Sequence, residues 1–250
     1  MSGSDPRPGR LRLATIGFGT PFLATLARQC IDRFGTGPDL ARVQLILPSA
    51  RARAGLVEAF LAASGTQAML LPRVTAVAQV DEEETLARLL EEGREAPLAP
   101  AIAPFARRIA LARMLLGTGA GAGSAAGADR LAGDLARVLD LLTANGVPPA
   151  RLVELDASAL AAHREKRLAI LSAIVTHWPG LLAERGLTDP VARREALLTA
   201  LAGRWEHVPP GPVIAAGFAA APPAVARLLG VVARLPDGLV VLPGLDPHVS

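Results

Sequence analysis

The chain has 250 residues, 51% hydrophobic and 20% charged, which excludes a disordered chain and suffices for one large domain or two small ones. Its formal charge of +3 does not by itself argue for nucleic acid. With no tyrosine and 3% aromatics it has too few rings for a base-stacking platform of the single-strand-binding type.

Residues 1–10 read as a polar, disordered Pro/Gly/Arg tail. "LRLATI" (11–16) reads as a strand, 17–21 as a Gly-rich turn, and 22–34 as a helix with Phe22, Leu23, Leu26, Cys30 and Phe34 at helical spacing. "VQLILP" (43–48) is a continuous apolar run, as expected of a buried parallel strand. "SARARAGLVEAFLAAS" reads as the next helix and "AMLLPRV" (68–74) as a third strand. This βαβαβ rhythm predicts a parallel sheet.

The pattern then becomes helical. "DEEETLARLLEEG" is acidic and helical, and "APLAPAIAP" is a bend. "FARRIALARMLL" places Phe105, Ile109, Ala112 and Leu116 on one face. "GTGAGAGSAAGA" (117–128) reads as a flexible loop. Leu131, Leu135, Val138, Leu139 and Leu142 form a stripe ended by Gly146 and Pro148. Leu168, Leu171, Val175 and Trp178 form another, which Pro179 is expected to interrupt. Asp189 reads as an N-cap with Pro190 at the first helical position. Strand signals return in "PVIAAG" (212–217) and "GLVVLPG" (238–244), with a helix between. The expected fold is α/β: a parallel sheet core from 11–96 and 206–250, with an all-helical subdomain inserted over 97–205.

The first turn has the position of a phosphate-binding loop but not its chemistry. A working P-loop needs a lysine for the β/γ-phosphates and a Ser/Thr for Mg²⁺. Here Gly17, Gly19 and Thr20 make a degenerate nucleotide loop with no lysine, and Pro21 removes a backbone donor. The dinucleotide fingerprint also fails, because Phe22 stands where a third glycine belongs. "DEEE" (81–84) reads as a solvated first turn of a helix rather than a metal site. In "LPSARARAG" (48–55), Ser49 follows a buried strand, and Arg51 and Arg53 start a helix whose amides favour anions. Contact with a phosphate backbone and two plain surface arginines both fit that pattern. Cys30 is the only cysteine, so the chain cannot form an internal disulfide or a cysteine-based metal site. His163, His177, His207 and His248 lack zinc-binding spacing. The most apolar stretch is broken by Pro222, Pro223 and Arg227, so no membrane span is expected. Arg7, Arg10 and Arg12 before an apolar run mimic a signal peptide, but Gly17, Gly19 and Pro21 fit a strand–turn–helix better. No catalytic constellation can be assembled.

Several segments, in this order, resemble one family: "GTPFLATLA", "LPSARARAGLVEAF", "LLPRVTAVAQVDEEE", "IAPFARRIALARMLL", "WPGLLAERGLTDPVARREALLTALAGRW", "PPGPVIAAG" and "VARLPDGLVVLPGLDP". The family is the AddB subunit of the bacterial AddAB helicase–nuclease, in its alphaproteobacterial form. The resemblance implies a helicase-like fold and a role in double-strand break repair, through DNA end resection and homologous recombination, in the cytoplasm. It implies an ATPase-inactive first motif, a heterodimer with the AddA motor, and contact with DNA ends. It also implies that the chain is an N-terminal fragment without cofactor of its own. The exonuclease, with its iron–sulfur cluster and Mg, would lie beyond residue 250. By position Ser49, Arg51 and Arg53 correspond to the segment that touches single-stranded DNA. One departure concerns the loop after "PVIAAG", hydroxyl-rich in the family and here Phe218-Ala219-Ala220-Ala221-Pro222. The other readings are a small α/β nucleotide-binding enzyme and a ligand-free interaction module.

Overall fold

The computed structural model describes residues 11–65, 69–77, 98–118, 124–148, 151 and 162–244, with side chains in the last stretch from 172 onward. The expected tail at 1–10 and the "DEEE" cluster lie outside these residues. Among the described residues there are five strands and eight helices. In chain order they are β1 (Leu13–Ile16), α1 (Phe22–Phe34), α2 (Pro38–Ala41), β2 (Gln44–Leu47), α3 (Ala50–Ser64), β3 (Arg73–Ala76), α4 (Pro104–Gly117), α5 (Ala125–Ala144), α6 (Ala162–Ala183), α7 (Pro190–His207), β4 (Val213–Ala216), α8 (Pro223–Val232) and β5 (Gly238–Pro243). The fold is α/β with a parallel sheet core. The chain separates into two compact units, Met1–Gly93 with Leu197–Ser250, and Arg94–Ala196.

In the first unit the five strands run parallel in the order β1-β5-β4-β2-β3. Side chains alternate between the two faces. Leu45, Leu47, Ile214, Ala216 and Val241 join Leu26, Cys30, Leu56 and Phe60 in one core cluster. Ile46, Val213, Ala215 and Val240 join Leu198, Leu201, Trp205, Leu228 and Val232 in another. A sheet covered by helices on both faces needs apolar residues at every position, which is why "VIAA" is fully buried. An added Cβ at Gly55 would stand 2.9 Å from Leu23 Cδ1, so this glycine lets α3 close onto α1.

The chain leaves β2 toward β3 on one side and leaves β4 toward β5 on the other. β2 and β4 are neighbours, so the topological switch point lies between their C-terminal ends, at Pro48-Ser49 and Gly217-Phe218.

In the second unit, Ile102, Leu111, Leu115, Ala132, Leu135, Leu139, Ile174, Val175, Trp178 and Leu182 make one core. Thr188 donates its amide to Pro100 O and accepts from Ile102 N, which ties the two ends of this unit together.

Five expectations are corrected. The third strand is Arg73–Ala76, not 68–74: Pro72 has no N–H for the ladder, and pairing begins with Gln44 opposite Arg73. On α4 the buried residues are Arg107, Leu111 and Leu115, while Phe105, Ile109 and Leu116 are exposed. On α5 the buried face is Ala128, Ala132, Leu135 and Leu139, with Leu131 and Val138 outside it. Residues 125–128, expected in a loop, are helical, because Ser124 caps α5 by accepting from Gly127 N at 3.1 Å. Pro179 lies inside α6 without ending it; Trp178 and Leu182, buried on either side, hold the helix against the core.

Candidate functional site

In a parallel sheet all the loops after the strands emerge on one edge, where α/β proteins bind their ligands. Here that edge carries Gly17, Phe18, Gly19 and Thr20 after β1, Ser49, Arg51 and Arg53 after β2, Gly217 after β4, and Gly244 after β5. All six residues singled out from the sequence therefore share one edge.

Ser49 is extended (φ −146°, ψ 159°), and its Oγ accepts from Ala52 N at 3.2 Å. Its first role is to cap α3. Among the described residues the amides of Ala50 and Arg51 have no acceptor, so the start of α3 is an open donor pair at the positive end of the helix dipole. Arg51 is exposed and Arg53 half-buried. Neither guanidinium has a hydrogen bond or ion pair among the described residues. Residues two apart on a helix point about 200° away from each other, so the two arginines diverge and do not form one clamp.

The β1 loop is shaped by glycine and closed by proline. Gly19 has φ +82°, and Pro21 precedes α1 with no side-chain cap. Among residues 17–22 no side chain carries a cation. At the switch point an added Cβ on Gly217 (φ +81°) would meet the Phe22 ring at 3.4 Å and Pro48 at 3.8 Å. Phe22 and Pro48 thus pack against Gly217 at the switch point. Phe18, between its two glycines, is 89% exposed. Its ring tip rests over Gly244, where any Cβ would collide with it.

The second unit holds a polar cluster that the sequence did not single out as a group. Arg107, 8% exposed, donates from Nε to Asp189 Oδ2 at 3.0 Å and from one terminal nitrogen to Asp140 Oδ1 at 2.8 Å. Trp178 Nε1 donates to the same Asp189 Oδ2 at 2.9 Å, and Val191 N donates to Oδ1 at 3.2 Å. Asp189 is thus the expected N-cap of α7 and also the anion that neutralises a buried arginine. The available signal was an arginine inside the apolar spacing of α4. Beside it lies a cavity of about 430 Å³, lined by Leu139, Val175, Trp178, Leu182, Leu187 and Asp189 among others. Both Asp189 oxygens are engaged, so this carboxylate serves structure.

Cys30 is buried against the sheet, and burial pushes its thiol up from 9.0 to about 12, against the opposing pull of Arg33. It is therefore an inert core thiol rather than a nucleophile. Among the described residues no group of His, Cys, Asp and Glu could hold a metal ion, and no helix is long and apolar enough to cross a membrane. No protein-family model matches this chain, and no curated protein gives a match.

Proposed function

We propose that the chain is the helicase-like body of an AddB-type subunit, which contacts single-stranded DNA during end resection and leaves ATP hydrolysis to an AddA-type partner. One observation carries this reading. The loop after β1 lacks the cation that grips a triphosphate, while α3, on the same sheet edge, has, among the described residues, an open N-terminus and two guanidiniums without an ion pair. An edge built this way favours phosphates held by arginine over a bound nucleotide. The collinear segments that resemble that family suggest the biological setting.

The test is affinity for a labelled single-stranded oligonucleotide against salt. Each phosphate contact contributes about −0.7 to the slope of log K against log salt, so Arg51→Ala with Arg53→Ala is expected to reduce the slope by about 1.4. An unchanged slope rejects the assignment. ATP with Mg²⁺ is expected to leave the melting temperature unmoved, and saturable stabilisation would favour the nucleotide-binding enzyme instead.

A further inference from the structure

We infer that Phe18 is a base-stacking residue, which takes one unpaired base of a strand whose phosphates lie at Arg51 and Arg53. The inference rests on the nucleic-acid reading above and adds a second, non-ionic contact to it.

A phenylalanine at 89% exposure forgoes burial worth about 1.5–3 kcal/mol. The surroundings keep this ring in place. Gly244 adopts φ +66°, and its missing side chain is what gives the ring tip its seat. Gly244 N donates to Ile16 O at 2.8 Å, which fastens the two loops together at the paired ends of β1 and β5. The rest of the ring is open to solvent, as its 89% exposure shows. The result is an apolar plane that is held at its tip and open to solvent.

The ligand class follows from what lies along the same edge. From β1 the sheet passes through β5 and β4 to β2, three interstrand steps or about 14 Å. Gly244 on that path is covered by the Phe18 ring itself, and Gly217 by Phe22 and Pro48, so the path offers side chains rather than bare backbone. A strand laid along it would put phosphates on the arginines and a base on the ring. A paired base keeps its faces inside the duplex stack, so the site selects unpaired strands. One ring gives one stacked base, in keeping with the low aromatic content of the chain.

The experiment uses the full chain and fluorescein-labelled oligothymidylate, read by anisotropy. Phe18→Ala is expected to weaken binding about 5- to 150-fold and to leave the salt slope unchanged. Phe18→Leu, which keeps an apolar side chain at this position, is expected to lose nearly as much, and Phe18→Trp to retain native affinity. An oligonucleotide of equal length with abasic positions should bind the native chain as weakly as thymidylate binds Phe18→Ala, with no further loss in the variant. Native affinity in both Phe18→Ala and Phe18→Leu, with the slope still lowered by the arginine variants, overturns the stack and leaves the phosphate reading standing. A ring that docks a protein instead gives that same result. If the native chain does not bind the oligonucleotide, both fail.

Discussion

Asp189→Ala tests whether the buried cluster holds the helical unit together. The substitution leaves Arg107 without one of its two carboxylates, Trp178 Nε1 without an acceptor and α7 without its cap. Stranding one member of a buried pair costs about 3–5 kcal/mol. Asp140, with a side chain 40% exposed, still holds Arg107 at 2.8 Å, so the lower end applies. Loss of the cap adds about 1 kcal/mol. The expected loss is about 4 kcal/mol, which lowers the urea midpoint by about 2 M at a slope of about 2 kcal/mol per molar. The assay has a natural reporter, since the chain has two tryptophans, Trp178 in the helical unit and Trp205 in the other. In a Trp205→Phe background, Trp178 fluorescence follows the helical unit alone. Arg107→Met is expected to cost far less in the Asp189→Ala background than in the native chain, which isolates the pair from the cap. A midpoint shift below about 0.5 M, or equal costs of Arg107→Met in both backgrounds, would refute the reasoning.

Two further predictions concern the core. The folded chain keeps a proton on Cys30 that the unfolded chain releases above pH 9, so its stability contribution is full below pH 9 and is lost as pH rises toward about 12. The chain has no tyrosine and only one lysine, Lys166, so few other groups titrate in that window. Denaturant titrations should show stability falling by up to about 1.4 kcal/mol per pH unit there, and Cys30→Ala should flatten that fall; equal alkaline loss in both chains would sink the idea. Among the glycines, Gly238→Ala would drive a Cβ into Val232 O and is expected to destabilise by about 1–3 kcal/mol, whereas Gly133→Ala, inside α5 with nothing within 4 Å, should stabilise by about 0.5–1 kcal/mol. Thermal melts of the two variants that shift in the same direction would contradict this.

The parallel core was legible in the sequence because buried parallel strands must be apolar throughout. "QLIL", "VIAA" and "GLVVLP" therefore stand out from their surroundings. Helix 22–34 was legible from its spacing and the glycine that follows it. The packing faces of α4 and α5 were not. α4 carries apolar residues on two sides, and the side that packs is the one with Arg107, because its charge is met by Asp189 and Asp140. On α5 the larger Leu131 and Val138 suggest the core face, but Ala128 and Ala132 occupy it. Small side chains carry little hydrophobic signal yet suit close helix approach. At the candidate site, Ser49 as the residue opening a helix followed from Pro48 ending a buried strand. The seat of Phe18 did not, since it depends on Gly244, far along the chain.

The register of β1 has a consequence for how the molecule is made. Leu13 pairs with Val240 and Ile16 with Pro243, so the first strand waits for a partner synthesised more than two hundred residues later. Until β4 and β5 leave the ribosome, β2 has an open inner edge, and Ile46 lacks the apolar cover of Val213 and Leu228. Helices α4 and α5, close in sequence, can meet long before that. The nascent polypeptide thus carries an early-forming helical segment and a half-finished sheet, and the second of these is where chaperones would be needed.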